Sequence, residues 1–428
     1  ALKKVQNSKK PTVISCKTKI GYGSPNKSGK ASSHGSPLGK DEIELVRKKL
    51  GWMYKPFEIP KNILNEWNKI GSKGSKIENK WNKTYNKKKN KINKIFKNNF
   101  NKSIKSEKIS AIKEIKSLAT RKCSELVLNS ITYENKNLIG GSADLAGSNN
   151  TKTKFHKIIK SNDFNGNYIH YGVREHAMCG IMNGLALHSN IIPYGGTFLI
   201  FSDYCKPSIR LSALMKQQVI YVMTHDSIGL GEDGPTHQPI EQLSGLRSIP
   251  NLNVFRPADR METVECWELA LKNSKTPSIL SLTRQNLNPV RNKYSINNKC
   301  ALGAYEILRT NKKINLTILA SGSEVNLALE TSHKLAKNKI YSKVISVPCK
   351  DIFDSQSKSY KKKILGETKF KISIEAGSTD SWKKYVGNEG FTFGIDEFGK
   401  SAPYKNIYKY FGLTAENISK KIKNRLKN

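Results

Sequence analysis

The order of apolar and polar positions predicts strands and helices that alternate along most of the chain. Between residues 109 and 290, short apolar runs alternate with longer segments of helical period, which is typical of a parallel α/β sheet. The predicted strands are 137–140, 168–171, 191–194, 219–223, 253–255 and 278–282. The predicted helices are 111–129, 174–188, 204–215, 240–247 and 260–273. A second α/β unit at 291–428 has predicted strands at 316–320 and 343–347 and a helix at 324–337.

The first part of the chain has a weaker pattern. Residues 1–60 predict a strand at 11–16, a loop rich in Gly, Ser and Pro, and a helix at 41–50 with Asp41 as its N-cap. Residues 61–108 are rich in Lys and Asn, with scattered Trp and Ile, and predict a mobile insert or an irregular helix. The predicted domains are therefore 1–60, 109–290 and 291–428, with the 61–108 segment as an insert or linker.

The charge of the chain raises the question of a nucleic-acid partner. The formal net charge is +40, from 74 Lys and Arg against 34 Asp and Glu. The Lys-rich segment contains no arginine, the residue that most often reads bases, so we interpret the charge as a compositional bias of the surface and expect no nucleic-acid partner. The resulting field favours small anionic ligands.

Other features of the sequence indicate the cellular compartment of the protein. The seven cysteines include no C-x-x-C pair, so we expect neither a metal site nor a disulfide framework, and a reducing, cytoplasmic compartment is the simplest interpretation. No apolar run reaches the length of about 18 residues that spans a membrane, and no membrane partner is expected. The first residues have neither an initiator Met nor a signal-peptide core, which predicts that the chain begins inside a domain and leaves an upstream targeting signal open.

One loop concentrates the groups that carry chemistry. Residues 224–239 contain His225, His237, Asp226, Glu232 and Asp233, and follow the apolar run 219–223. Open α/β sheets bind ligands at the carboxyl ends of their strands, so this loop is predicted to grip a polar, hydroxyl-rich molecule. A solvated surface loop is the alternative.

The same loop resembles the sugar-binding segment of transketolases, the thiamine diphosphate enzymes that transfer two-carbon ketol units. Six further segments of the chain resemble transketolase segments and occur in the same order as in that family. They are 16–27, Ser-His-Gly-Ser-Pro-Leu-Gly at 33–39, Gly-Gly-Ser-Ala-Asp-Leu at 140–145, Tyr-Gly-Val-Arg-Glu-His-Ala-Met at 171–178, 197–201 and Ser-Leu-Thr-Arg-Gln-Asn at 281–286. The resemblance spans the chain outside 61–108 and is weakest beyond residue 300. It implies consecutive parallel-sheet domains of the thiamine-diphosphate-binding fold followed by a C-terminal α/β domain.

The resemblance implies the residues that meet the cofactor. Glu175 matches the glutamate that hydrogen-bonds the pyrimidine N1′, although a carboxylate at a helix start is also favoured by the helix dipole alone. Phe201, with Phe198 and Tyr204, matches the aromatic pocket of the pyrimidine ring, and an ordinary core stripe is the alternative. Asp144 matches a further cofactor contact. His34 matches a histidine close to the thiazolium, with a catalytic role and contacts to cofactor and substrate.

The resemblance also implies a substrate site. His225 and His237 match histidines that meet the substrate, and His237 is a candidate for proton relay. Asp233 matches the acid that binds a sugar hydroxyl. Arg121, Ser148 and Arg284 match the phosphate clamp, together with His225.

The activity implied is transfer of a ketol unit from a ketose phosphate to an aldose phosphate, in the pentose phosphate pathway, through a thiamine diphosphate carbanion. A homodimer with active sites at the subunit interface is also implied. The chain contains no Gly-Asp-Gly, the family's magnesium motif, so we assign no metal ligand and expect most of the diphosphate-binding domain to be lacking and the chain alone to be inactive. The alternatives are an enzyme similar to 1-deoxyxylulose-5-phosphate synthase and a non-catalytic fragment or basic binding protein on the same fold.

Overall fold

The protein is described by a computed structural model that covers residues 1–95, 98–135, 137–188, 190–366 and 368–427. The chain divides into two units, Ala1–Lys94 and Ile95–Asn428. None of the described helices is both long enough and apolar enough to cross a membrane.

The first unit is formed by helices and loops. Its helices are α1 (Leu2–Val5), α2 (Lys40–Lys49) and α3 (Lys61–Ile95), with a 3-10 turn at Ala31–Ser33. The predicted helix at 41–50 is confirmed, but Gly39 is its N-cap and Asp41 lies in its first turn. The predicted strand at 11–16 is wrong, because these residues form no strand and Val13 is 93% exposed.

One buried carboxylate organises the loop before α2. Glu42 accepts hydrogen bonds from the Ser24 hydroxyl, the Asn26 backbone amide at 2.9 Å and the Asn26 side chain at 3.0 Å. These donors, Ser24 first and then Asn26, lower the pKa of Glu42 to about 2. The loop 20–38 is thereby tied to the start of the helix.

The Lys/Asn-rich segment corrects another prediction. Residues 61–95 form one continuous helix of 35 residues, α3, so the prediction of an irregular helix is wrong. Lysine is a good helix former, and Trp81 stacks on Tyr85 one turn later with ring centroids 4.9 Å apart. Trp67, Ile77 and Trp81 lie exposed on this helix.

The predicted helix at 111–129 is two helices in the structure. They are α4 (Asn101–Lys113) and α5 (Thr120–Glu134). The break occurs because Leu118 pairs with Leu287 in a β-bridge and Ala119 has an extended backbone, with φ −65° and ψ 139°. Helix α5 therefore begins beside Thr283, and this places Arg121 in its first turn.

The first sheet has six parallel strands. They are β1 (Leu138–Ser142), β2 (Tyr168–His170), β3 (Ile192–Phe198), β4 (Ile220–Thr224), β5 (Asn253–Phe255) and β6 (Ser278–Leu282), in the order β2-β1-β3-β4-β6-β5. The helices that follow them are α6 (Ala146–Asn149), α7 (Glu175–His188), α8 (Ser202–Leu214), α9 (Gln242–Arg247) and α10 (Arg260–Lys272). All six predicted strands are confirmed, with ends that differ by up to four residues.

Strand β3 is the one whose end differs most. Residues 195–198, which lie beyond the predicted end of this strand, continue it, and all of β3 is buried. Gly196 permits close packing here, since a Cβ atom at this position would lie 2.6 Å from Thr151 Cγ2. The 3-10 turn Leu199–Phe201 follows and leads into α8.

The C-terminal part is built on a mixed sheet of five strands. Its strands are β7 (Tyr305–Leu308), β8 (Leu316–Ala320), β9 (Ser342–Ser346), β10 (Lys371–Ile374) and β11 (Phe391–Phe393), in the order β11-β10-β8-β9-β7 with β7 antiparallel. Its helices are α11 (Glu324–Ala336), α12 (Lys350–Asp354), α13 (Lys358–Leu365), α14 (Lys383–Val386), α15 (Tyr404–Tyr410) and α16 (Ala415–Lys427). The α/β fold class is confirmed.

Candidate active site

The candidate site lies at the carboxyl edge of the first sheet. Strands β1, β3, β4 and β6 are neighbours, and all run in the same direction. Asp144, Phe198, His225 and Arg284 lie at or just beyond their carboxyl ends. The residues predicted from four separate motifs therefore meet at one edge, as expected for an open α/β sheet.

Three aromatic rings lie at the end of β3 and just after it. Phe198 and Phe201 are nearly parallel, with centroids 5.7 Å apart and an interplanar angle of 7°. Tyr204 continues the series at 5.9 Å from Phe201, and its ring is 68% exposed. His237 meets Phe201 edge to face at 5.6 Å. The arrangement is not a core stripe, because Tyr204 faces outward while Phe198 and Phe201 face the two histidines.

His225 is held in one orientation by its neighbours. Its ring stacks on Phe198 at 3.7 Å, and its backbone has φ +58°, an uncommon value for a residue other than glycine. The Asn149 side chain donates to Thr224 Oγ1 at 2.7 Å, so the Thr224 hydroxyl is free to donate to His225 Nδ1 at 2.8 Å. In a neutral ring that accepts at Nδ1, the proton lies on Nε2, which is then a hydrogen-bond donor.

The charge state of His225 follows from its surroundings. Burial first, and then the nearby Arg121, Arg284 and His237, lower the pKa of His225 to about 3. The imidazole is therefore neutral at physiological pH. It offers a donor to an anion without adding a third full charge to the two arginines.

Asn149 is the site residue that sequence reasoning missed. It lies fully buried at the end of α6 and donates to Thr197 O at 3.0 Å as well as to Thr224. Its own Oδ1 accepts from Ser142 at 3.1 Å, so one amide joins the ends of β1, β3 and β4. The signal in the sequence is only an Asn after the Gly-Ser-Ala-Asp-Leu motif.

The two predicted phosphate arginines lie close to His225 and to each other. Arg121 donates to the Ser148 carbonyl at 2.8 Å, and burial, followed by the charge of Arg284, lowers the pKa of Arg121. Arg284 donates to the Leu230 carbonyl and lies 4.0 Å from Asp233 Oδ1. The fixed contacts leave guanidinium donors on both side chains for a ligand.

The remaining predicted residues lie as follows. Glu175 is the first residue of α7 and half-buried, and its carboxylate makes no hydrogen bond or salt bridge within the described part of the chain. Asp144 is exposed with φ +60°. His237 is half-buried and pairs with Thr236 Oγ1 at 3.0 Å. His34 belongs to the first unit, where it is exposed and follows the Ala31–Ser33 turn.

Across the described ranges, no group of three or more His, Cys, Asp or Glu side chains could hold a metal ion. The candidate site is thus an aromatic and cationic site, with carboxylates at Glu175 and Asp233.

Comparison with known families covers nearly the whole chain. Three family models match in succession: "Transketolase, thiamine diphosphate binding domain" at 1–108, "Transketolase, pyrimidine binding domain" at 116–290 and "Transketolase-like TK C-terminal domain" at 303–414. The transketolase of Sinorhizobium medicae is 43% identical over 425 residues, which are 98% of this chain and 61% of that protein. The chain belongs to the transketolase family.

Solved transketolases have the same fold. That of Campylobacter jejuni superposes with a TM-score of 0.87 at 36% identity, covering 99% of this chain and 65% of that one. That of Pichia stipitis, in complex with sedoheptulose 7-phosphate, gives a TM-score of 0.84 at 38% identity and covers 94% of this chain and 61% of that one. The expected thiamine-diphosphate-binding fold with a transketolase C-terminal domain is therefore confirmed.

The match at the first residues changes two expectations. The transketolase diphosphate-domain model matches 1–108, across both the 1–60 segment and the Lys/Asn-rich segment. The expectation that most of this domain is lacking is therefore not supported, and neither is the inactivity inferred from it. The chain spans 61% to 66% of the length of three curated transketolases to which it is similar.

Proposed function

We propose that the protein containing this chain is a transketolase in activity as well as in family. It transfers a two-carbon ketol unit from a ketose phosphate to an aldose phosphate. The observation that carries the proposal is a neutral His225 that lies close to both Arg121 and Arg284 and stacks on Phe198, the ring beside Phe201. An anion site next to an aromatic stack suits a phosphorylated sugar that reacts at an aromatic cofactor.

The residues at the edge of the sheet fit thiamine diphosphate. Phe201, with Phe198 and Tyr204, offers an aromatic surface for the aminopyrimidine, and Asp144 is a further contact. Glu175 has an uncommitted carboxylate at the start of α7, suited to hold a proton at a pyrimidine ring nitrogen. The bound cofactor supplies a stabilised carbanion equivalent, a chemistry that side chains lack. Mg²⁺ belongs to the proposal as the counter-ion of the diphosphate, without a ligand assigned here.

The substrate phosphate is assigned to the two arginines. Arg121 and Arg284 supply charge-assisted donors, and His225 Nε2 supplies a neutral one. Ser148, which already anchors Arg121 through its carbonyl, offers a hydroxyl at the same place. The Pichia stipitis relative crystallised with sedoheptulose 7-phosphate supports a sugar phosphate as the ligand class.

The sugar itself is assigned to the loop that follows β4. Asp233 and His237 lie on this loop, at the side where Arg284 approaches. Asp233 accepts from a sugar hydroxyl, and His237 relays a proton beside the Phe201 ring. His34 is a third candidate for contact with cofactor and substrate, carried by its motif alone.

The assembly is proposed as a homodimer with active sites at its interface. The exposed faces of α7 and α8 carry Ile181, Leu187, Leu211 and Leu214, which are 47% to 66% exposed. An apolar face of this kind marks an interaction surface. Glu175 begins the helix that carries part of this face, so a second subunit seated on it would approach the site. A cytoplasmic compartment remains our prediction, supported by seven cysteines that are all free thiols.

A coupled assay tests the proposal. The intact protein, supplied with thiamine diphosphate and Mg²⁺, should form sedoheptulose 7-phosphate from xylulose 5-phosphate and ribose 5-phosphate. Condensation that requires pyruvate instead would favour the relationship to 1-deoxyxylulose-5-phosphate synthase. Absence of both reactions from protein that is folded would favour a non-catalytic role.

The role of Glu175 is tested separately. Glu175→Gln should slow turnover at least about a hundredfold, the scale for loss of acid–base assistance, while cofactor binding is retained. The rate is read in the coupled assay, and binding by titration calorimetry. Turnover close to that of the unaltered protein would remove Glu175 from this role.

A further inference from the structure

A buried arginine joins the first sheet to the C-terminal sheet. Arg256 follows β5, and its side chain is completely buried. Its Nε donates to Asp226 Oδ2 at 2.9 Å, and its NH1 donates to Glu324 Oε2 at 2.5 Å and to the Ser321 carbonyl at 2.8 Å. Asp226 belongs to the loop after β4, whereas Glu324 and Ser321 follow β8 of the C-terminal sheet.

The cluster around Arg256 contains equal numbers of acidic and basic side chains. Glu375, at the end of β10, lies 3.9 Å from Arg256 NH1 and accepts two bonds from Arg247, at 2.7 and 2.8 Å. Lys350 lies 3.9 Å from Glu375 and 3.4 Å from the centre of the Trp382 ring. Arg256, Arg247 and Lys350 thus face Asp226, Glu324 and Glu375. A buried network of this kind is stable only while every charge keeps its partner.

The cluster ends beside the candidate substrate site. Asp226 is adjacent to His225, whose φ of +58° must be stabilised by its surroundings. Asp226 is 1% exposed, and its carboxylate has no bond to a side chain other than that of Arg256 among the described residues. Arg256 is therefore the side chain that ties the Asp226 carboxylate to the C-terminal sheet.

We propose that Arg256 is a positioning residue, through which the C-terminal domain holds the Asp226 backbone and thereby the His225 ring in its ligand-binding orientation. The guanidinium is needed because it donates to Asp226 and to Glu324 in different directions at once. A lysine at this position has one ammonium group and cannot make both contacts with the same geometry. The far end of the same loop also reaches the C-terminal part, since Gln238 donates to the Lys400 carbonyl at 2.9 Å.

The first test measures the loop itself and does not depend on the proposed function. Hydrogen exchange followed by mass spectrometry should show amides of residues 225–234 exchanging at least about tenfold faster in Arg256→Lys than in the unaltered protein. Glu324→Gln, which alters only the C-terminal side of the contact, should change the same peptide in the same direction. Unchanged exchange of this loop in both folded variants would overturn the proposal.

A matched control is Arg291, a buried arginine in the loop after β6 that pairs with α10. Arg291 is 7% exposed and makes two bonds to Glu265, at 2.7 and 2.9 Å, without contact to the loop after β4. Arg291→Lys should speed exchange around α10 and leave residues 225–234 unchanged. If Arg291→Lys loosens the loop as much as Arg256→Lys does, general destabilisation explains the effect and the proposal fails. If Arg256→Lys does not fold, Glu324→Gln with the same control decides.

The second test rests on the proposed function. In Arg256→Lys, KM for ribose 5-phosphate should rise about tenfold, with kcat changed much less, because His225 serves the phosphate. KM for glycolaldehyde, which has no phosphate, should stay within about twofold of the unaltered value. Equal effects on both acceptors would overturn the positioning role. A protein without ketol transfer but with the expected loop exchange would instead contradict the proposed function alone.

Discussion

His225 shows how a single residue acquires its properties from groups far away in the chain. Its ring orientation depends on Thr224 and Asn149, and its neutral state depends on burial and on Arg121 and Arg284. The motif predicts a histidine at the site, but its tautomer and charge cannot be read from it. Asn149 could not be predicted, because its role arises only where the ends of three strands meet.

The pKa of His225 leads to a prediction about stability. The folded pKa, about 3, lies below the value of about 6.5 expected in the unfolded chain. Between these two pH values the unfolded state binds a proton at His225 and the folded state does not. The contribution of neutral His225 to the free energy of unfolding is therefore fully present above pH 6.5 and is lost as the pH falls from 6.5 towards 3. Below about pH 6 the slope is at most about 1.4 kcal/mol per pH unit.

The measurement is the free energy of unfolding at pH 7 and at pH 5, in the unaltered protein and in His225→Gln. The variant should lose less stability between the two values. His156, whose pKa burial lowers to about 4, contributes equally to both proteins and cancels. Identical pH slopes would mean that His225 is protonated in the folded state.

Arg284 is the residue whose removal best separates binding from folding, since its side chain is 39% exposed. Arg284→Ala should raise KM for phosphorylated acceptors by roughly one to two orders of magnitude, because a charge-assisted bond contributes about 1.5–3 kcal/mol. Glycolaldehyde should be affected little. A similar loss with both acceptors would make Arg284 structural.

At the scale of elements, a prediction was correct where the residues of a segment themselves determine its secondary structure, and wrong where distant contacts determine it. The six strands of the first sheet were predicted because each contains a short apolar run, and β3, β4, β5 and β6 are buried along their whole length. The break between α4 and α5 was missed because Leu118 pairs with Leu287, far away in sequence. The 11–16 segment has the composition of a strand, but propensity alone forms none there. The continuity of α3 was missed because its apolar residues are too scattered to indicate a buried face.

Strand β3 gives a prediction at this scale. In Gly196→Ala the new methyl group would lie 2.6 Å from Thr151 Cγ2 and 3.1 Å from Asn149 Cβ. Because the strand is buried and Asn149 orients Thr224, we expect destabilisation of about 1–3 kcal/mol together with weaker sugar phosphate binding. Chemical denaturation and ligand titration measure the two effects.

The control is Gly71→Ala in α3, where a Cβ atom meets nothing within 4 Å. This change should stabilise the protein by about 0.5–1 kcal/mol, since Ala is the better helix former. If Gly196→Ala left both stability and binding unaltered, β3 and α6 would not be as closely packed as described.

At the scale of the whole molecule, the net charge of +40 and the apolar faces of α7 and α8 act in opposite directions. Lysines repel a second copy, whereas apolar contact attracts it. Raising the salt concentration screens the repulsion and leaves the apolar contact, so the proposed dimer should be tighter in salt.

Leu211, which is 47% exposed on α8, is the position for a test of the dimer. Leu211→Glu should shift the mass measured by light scattering from dimer towards monomer, because a charge would be buried in an apolar interface. Ile296→Glu, at a loop residue 77% exposed, should not change the mass. Monomers of the unaltered protein at every salt concentration would contradict the proposed assembly.

The cluster around Arg256 also limits which amino-acid substitutions the interior of this protein can accept. Lysine and asparagine are encoded by codons made mostly of A and T, and a nucleotide bias of that kind can spread over solvent-facing positions at little cost to folding. Replacement of arginine by lysine is not tolerated in this way where one guanidinium binds several buried oxygens in fixed directions, as at Arg247, Arg256 and Arg291. An arginine-to-lysine change at these three positions should therefore cost stability, whereas added lysines at solvent-facing positions should cost little.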